Sequence, residues 1–126
     1  MILTDTCDFL WFISGDPKLP ALRRQAIQDP RNIVFLSAVS SAEIAIKHSI
    51  GKLSLPSHPA KYIRDARLMH GISSLPLAEE ATLLLANLPL HHKDPFDRML
   101  ICQALAHGMT FITSDPKNHL YDLPLL

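Results

Sequence analysis

Net charge is the first thing this chain lacks. Twelve lysines and arginines face twelve aspartates and glutamates in 126 residues, giving zero with histidine neutral. That excludes a partner held by bulk positive charge alone, as in histone-like or arginine-rich proteins. Charged residues are sparse altogether, at 19% against 48% apolar, a balance that disordered chains do not have. Cysteine is nearly absent: Cys7 and Cys102 are too few for a disulfide scaffold and suit a reducing compartment. No apolar run approaches the roughly 18 residues of a membrane span, and Met1–Asp5 shows neither a basic leader nor a small-residue cleavage site. These absences lead to the expectation of a soluble cytoplasmic protein. Residues 1–126 are read as one domain, long enough for one core but not for two.

What is present alternates between two patterns. Ile2-Leu3-Thr4, Ile33–Leu36, Ile72–Leu77 and Met109–Thr113 are short apolar runs of strand type. Between them, Cys7–Ile13, Leu19–Gln28, Ser41–Ile50, Pro59–His70, Ala78–Leu88 and Asp94–His107 read as helices, punctuated by Gly15, Gly51, Gly71 and Gly108. The tail from Tyr121 is expected to add a short edge strand. Buried strands separated by helices predict a parallel sheet covered on both faces, a three-layer α/β/α sandwich. The ten prolines fall mostly at element starts or in connections, and neither a repeat nor a low-complexity segment interrupts the pattern.

Four carboxylates fall at equivalent places in that pattern. Asp5 follows the first strand, Glu43 is expected in the first turn of the helix after the second, Asp97 opens the long helix, and Asp115 follows the last strand. In a parallel α/β sheet, strand ends and helix starts share one edge, where ligands bind. Each acid has a plain local explanation. Ser40 through Glu43 matches a capping box, Asp94-Pro95 is a cap followed by proline at the first helical position, Asp5 caps the first helix, and Asp115 before Pro116 makes an Asx-turn. Capping does not explain why all four share an edge, nor why Asp97 is needed where Asp94 already caps. The chemical explanation is a site for Mg²⁺ or Mn²⁺, hard cations that take oxygen donors. Such a cation activates water and clamps a phosphate during in-line displacement, and helix N-termini favour both the acids and a phosphate.

The run Asp94-Pro95-Phe96-Asp97-Arg98-Met99-Leu100-Ile101-Cys102-Gln103-Ala104 resembles the DPFDRLLIAQA signature of PIN-domain ribonucleases, in particular VapC-type toxins of bacterial toxin–antitoxin pairs. Leu3-Thr4-Asp5-Thr6 resembles the opening LLDT of that family, Ser37–Lys47 its SAASxWEIAIK segment, and Thr113-Ser114-Asp115 its closing T-x-D. The four segments come in order and span essentially the whole chain. The resemblance implies a PIN-like fold and metal-dependent endoribonuclease activity, with Asp5, Glu43, Asp97 and Asp115 as the catalytic, metal-binding acids. Asp94 is then the cap, and Thr113 orients a metal-bound water. It further implies an RNA substrate, a cognate antitoxin and a homodimer. The chain departs from the family at Cys7, where His is frequent, at Cys102, where Ala is frequent, and at Asn118, where a further acid is possible. Two other readings are a PIN-like binding or scaffold protein without catalysis, and a PIN nuclease acting in RNA maturation or on DNA.

Other residues carry weaker signals. The seven histidines lack zinc-motif spacing and no Cys-x-x-Cys is present, so they are read as surface or loop residues, with His92-Lys93 placed to touch an RNA backbone. Cys7 lacks a partner histidine and is expected to be a buried structural thiol. Lys47 and Arg98 flank site acids and either pair with them or meet a phosphate. Arg64 and Arg67 read as a solvated face or part of an RNA track. The run Phe9–Ile13 is expected in the core, with an antitoxin or dimer surface as the second explanation. Setting the four site acids aside leaves eight acids against twelve bases. Neutrality is therefore compatible with a concentrated acidic site on a mildly basic surface.

Overall fold

A strand three or four residues long can bury both its faces only if helices cover the sheet above and below, and parallel neighbours need such helices as crossovers. The structure, a computed structural model, describes residues 1–126 and meets both requirements. Strands β1 (Ile2–Thr4), β2 (Val34–Ser37), β3 (Ser73–Leu75) and β4 (Thr110–Ile112) form one parallel sheet in the order β3-β2-β1-β4. Helices α1 (Thr6–Ser14), α2 (Ala21–Gln28), α3 (Ala38–Ser49), α4 (Pro59–His70), α5 (Glu79–Leu83) and α6 (Pro95–His107) flank it, with 3₁₀ turns at Leu84–Ala86 and Asn118–Leu120.

Alternation along the strands divides the apolar interior into two layers. Ile2, Val34, Leu36 and Ile112 join Phe9, Phe12, Ile44 and Ile63 on one side of the sheet. Leu3, Leu75 and Phe111 join Val39, Leu100, Ile101 and Ala104 on the other. Phe9–Ile13 is thus only partly core: Phe9 and Phe12 are buried, while Leu10, Trp11 and Ile13 are half-exposed.

Local chemistry sets the helix boundaries. Asp94 caps α6, its Oδ1 accepting from the backbone N–H of Phe96 at 2.9 Å and Asp97 at 3.4 Å, and Pro95 opens the first turn. Gly108, at φ 62°, takes the left-handed position that ends α6, and its N–H bonds back to the last turn. Helix α3 starts earlier than expected. Ser37, at the end of β2, accepts from Val39 N–H at 2.9 Å and is the cap, so helix follows strand without a loop. Ser40 instead accepts the Thr6 hydroxyl at 2.9 Å, linking α3 to α1. Glu43 therefore lies in the second turn and closes no capping box. The expected helix over 78–88 is shorter too, ending in a 3₁₀ turn at Ala86.

The tail adds to the sheet as expected. Phe111 N–H donates to Pro124 O at 2.8 Å, Leu126 N–H to Phe111 O at 3.0 Å, and Thr113 N–H to Leu126 O at 3.2 Å, a parallel pairing along the outer edge of β4. Arg23 on α2 holds that segment, donating from Nε to Leu126 O at 2.9 Å and from Nη1 to the Ser114 hydroxyl at 3.0 Å.

Phe111 is fully buried in the second layer and hydrogen-bonded on both sides. Phe111→Ala is expected to lower unfolding free energy by about 3–5 kcal/mol in urea titration; a loss below about 1 kcal/mol would contradict its place in the core.

Candidate active site

The sheet order puts β1 between β2 and β4: the chain runs from β1 to β2 and β3 on one side, then crosses back to place β4 on the other. In open α/β sheets the crevice at the carboxyl ends of such a pair collects ligands, because the flanking helices diverge there. Asp5 leaves β1 at this point and Asp115 follows β4. Glu43 projects from α3, which begins directly after β2, and Asp97 from the first turn of α6. All four line one cleft of about 290 Å³, together with Asp94 and Lys47.

Each acid has its own environment. Asp5 is almost fully buried and caps α1 as expected, its Oδ1 accepting from Asp8 N–H at 2.7 Å. Its Oδ2 accepts the Thr113 hydroxyl at 2.5 Å. Burial, then the charge of Asp8, pushes the Asp5 carboxyl up to about 8. Asp97 is pushed up to about 6 by burial and by the charges of Asp94 and Glu43. Glu43 Oε2 meets Lys47 Nζ at 2.6 Å, the (i, i+4) pair expected for two residues on one helix face. Asp115 makes the expected Asx-turn, its Oδ1 accepting from Lys117 N–H at 2.9 Å.

A cation suits this arrangement on two observations. Glu43 Oε1 is buried with no hydrogen-bond partner, and leaving such an acceptor unmet costs about 1–3 kcal/mol. Asp97 and Asp115 bring carboxylate oxygens within 4.8 Å of each other, beside His92. The donors are almost all carboxylate oxygens, the set that hard divalent cations take.

Several expectations need correction. His92 lies in a loop as expected, but inside the protein and not where it could touch an RNA backbone. It is buried, its Nε2 lying 2.5 Å from Asn118 Oδ1 and 3.6 Å from Asp97 Oδ2. Asn118 is fully buried and donates from Nδ2 to Thr113 Oγ1 at 3.0 Å. The Thr113 hydroxyl is directed into the protein, onto Asp5, and so is not free to orient a water in the cleft. Cys7 is exposed and lines the cleft, because α1 turns Phe9 and Phe12 inward instead. Desolvation on its cleft side and the charge of Asp5 push its thiol up to about 11, so it stays protonated and unreactive near neutral pH. Arg98 meets no site acid. It donates to Pro89 O at 2.8 Å, Leu88 O at 3.2 Å and Tyr121 Oη at 3.2 Å, fixing the segment before α6. Asp8, passed over in the sequence, is a fully buried carboxylate whose pKa burial raises and Ser114 and Arg23 lower. Nothing in its local spacing marks it.

A parallel α/β/α sandwich with acids from four elements meeting at its switch point defines a narrow class of proteins. The PIN-domain family model matches residues 2–123, and the chain belongs to that family. It is 44% identical to Ribonuclease VapC16 of Mycobacterium tuberculosis over 52 residues, which are 41% of this chain and 37% of that protein, so the likeness spans little more than a third of the relative's length. Among solved structures, VapBC2 from Rickettsia felis, bound to a DNA fragment from its promoter, matches with TM-score 0.72 at 15% identity over 100% of this chain and 98% of that one. VapBC-1 from nontypeable Haemophilus influenzae gives 0.67 at 22% identity, over 100% and 97%. FitAcB from Neisseria gonorrhoeae gives 0.65 at 23%, over 100% and 96%.

Asp5 and Asp97 hold their protons to higher pH in the folded chain than in the unfolded one, where carboxyls titrate near pH 4. Their contribution to stability is therefore complete below about pH 4 and is lost as pH rises through about 6 and 8. Metal-free protein is expected to melt at least about 5 °C lower at pH 8 than at pH 5, and Asp5→Asn to remove much of that difference. Added Mg²⁺ or Mn²⁺ should raise the melting temperature more at pH 8 than at pH 5, because ligands bind deprotonated. Scanning fluorimetry across both pH values with and without chelator checks this; a metal-free melting temperature that climbs from pH 5 to 8 would contradict it.

Proposed function

We propose that this chain is a metal-dependent endoribonuclease acting as the toxin of a VapBC-type toxin–antitoxin pair. The observation that carries the proposal is the meeting of Asp5, Glu43, Asp97 and Asp115 at the switch point of a PIN fold. The local identity to Ribonuclease VapC16 supports ribonuclease activity, and the VapBC complexes among the structural neighbours support a cognate antitoxin as partner. A cytoplasmic setting, one domain over residues 1–126 and a homodimer complete the proposal.

In this reading Asp5, Glu43, Asp97 and Asp115 hold Mg²⁺ or Mn²⁺. A cation held there would supply Lewis acidity toward water and the scissile phosphate. Asp5 is held at both oxygens by Asp8 N–H and Thr113, so its orientation is set before a cation arrives. Lys47 pairs with Glu43 and places a positive charge beside the cleft, where a phosphate gains from it. Cleavage leaves a 5′-phosphate and a 3′-hydroxyl. Growth arrest follows from RNA loss, and the antitoxin acts by covering the cleft.

Asp97→Asn separates this proposal from a binding or scaffold protein of the same fold. Asp94 caps α6, so the variant should fold and change stability by no more than about 1 kcal/mol. Its RNA cleavage should fall at least about 100-fold, and toxicity on expression should vanish. Wild-type cleavage should stop in chelator and return with Mn²⁺. Full toxicity of Asp97→Asn would overturn the site; cleavage of DNA oligonucleotides in preference to RNA would move the chain to the DNA-directed reading.

A further inference from the structure

We infer that His92 and Asn118 are positioning residues for the acidic cleft. They belong to a one-way chain of hydrogen bonds that runs from Arg98 through Tyr121, His92, Asn118 and Thr113 to Asp5. The inference rests on the proposal above in one respect, that Asp5 serves as a cation ligand and is ionised when it does.

Thr113 sets the direction. Its Oγ1 lies 2.5 Å from Asp5 Oδ2, 3.0 Å from Asn118 Nδ2 and 3.2 Å from Asp115 N. A hydroxyl has one hydrogen and two lone pairs. An ionised Asp5 only accepts, so the hydrogen goes to Asp5 and the lone pairs take the N–H groups of Asp115 and Asn118. That orients the Asn118 amide, with its NH₂ toward Thr113 and its carbonyl Oδ1 toward His92 Nε2, 2.5 Å away. Two acceptors cannot share that distance, so Nε2 carries a hydrogen. At the other end, Tyr121 Oη accepts His92 N–H at 3.3 Å and Arg98 Nη1–H at 3.2 Å. Both are obligate donors, which leaves the tyrosine hydrogen for His92 Nδ1 at 3.5 Å, the longest link. Turning the Asn118 amide over would draw the Thr113 hydrogen onto Asn118 and leave two bare oxygens 2.5 Å apart at Asp5.

Two consequences follow for the cleft. His92, Asp97 and Asp115 cluster as a three-ligand metal set would. The chain of donors nevertheless removes His92 from that role, since a nitrogen bearing hydrogen cannot ligate. Its Nε2–H points to Asn118 and lies 3.6 Å from Asp97 Oδ2, so it holds position beside that acid. Thr113, Asn118, His92 and Tyr121 are all buried, so water does not compete for the links. Asp5 at the end of β1 is thereby tied to the segment that carries Asp94 and Asp97, far away in sequence.

Asn118→Asp makes the sharpest test, because it adds an acid almost without changing shape. If Asn118 stood where a further cation ligand belongs, Asp would tighten metal binding. In the donor chain, Asp presents a second acceptor to Thr113 and draws its hydrogen from Asp5. We expect calorimetry on the full chain to give about 10- to 100-fold weaker Mn²⁺ binding for Asn118→Asp and for His92→Ala, with RNA cleavage falling in parallel. His92→Gln, which keeps an N–H near the place of Nε2, should stay within about threefold of wild type. A merely structural role would lower melting temperature in all three without this rescue. Nitrogen-detected NMR of wild-type protein, with Mg²⁺ and also metal-free at pH 9, should place the His92 hydrogen on Nε2. A hydrogen on Nδ1, equal or tighter Mn²⁺ binding by Asn118→Asp, or unchanged binding by His92→Ala each overturns the inference. Absence of Mn²⁺ binding by wild type would instead sink the metal site, while the metal-free NMR result still decides the donor chain.

Discussion

Negative charges gathered in a half-dry cleft repel one another, and the rest of this fold exists in tension with that repulsion. Asp5 stands against Asp8, and Asp97 against Asp94 and Glu43, with burial weakening the solvent that would screen them. Opposite charge is scarce: Lys47 pairs with Glu43, and Arg23 offsets Asp8. Attraction does not bring these acids together; connectivity does. Each rides on a different element, and those elements are held by apolar layers above and below four very short strands. The strands are too short to resist distortion alone, so fully buried Leu3, Leu36, Phe111 and Ile112 supply the rigidity that keeps like charges in place.

For Asp5 and Asp115 the two explanations weighed prove compatible. Asp5 caps α1 and lines the cleft; Asp115 closes an Asx-turn and lines it too. A cap immobilises its carboxylate, and a ligand gains from being immobilised before the ion arrives. At α6 the roles are divided, Asp94 taking the cap and Asp97 facing Glu43 and His92. Local stability and site geometry thus draw on the same residues in one place and on neighbours in another.

What could be read in the sequence follows from the range of the forces involved. The boundaries of α4 and α6 were legible because Pro59, Asp94, Pro95 and Gly108 act on their own backbone. The start of α3 was not, because Ser37, Ser40 and Ser41 are equally able to cap, and only the end of β2 selects Ser37. The four acids were legible as a pattern because a parallel sheet places strand ends and helix starts on one edge. His92, Asn118 and Asp8 were not. Their roles come from contacts such as His92 with Asn118, Asn118 with Thr113 and Thr113 with Asp5, which depend on how the loop before α6 and the tail turn meet after folding. The exposed thiol of Cys7 escaped for a similar reason: its helix is apolar nearly all round, so periodicity could not say which side faces in.

The pairing of residues 124–126 with β4 has a further consequence for how this molecule can meet others. An unpaired sheet edge invites another chain to add a strand. Here the β4 side is already taken by the tail, with Arg23 latching its last carbonyl. On the opposite side β3 is three residues long and starts with two serines, too short a template for strand addition. β4 and β3 themselves thus offer little backbone to a grafted strand, and recognition falls mainly to helix faces and clefts, where side-chain identity, not generic backbone, decides who binds.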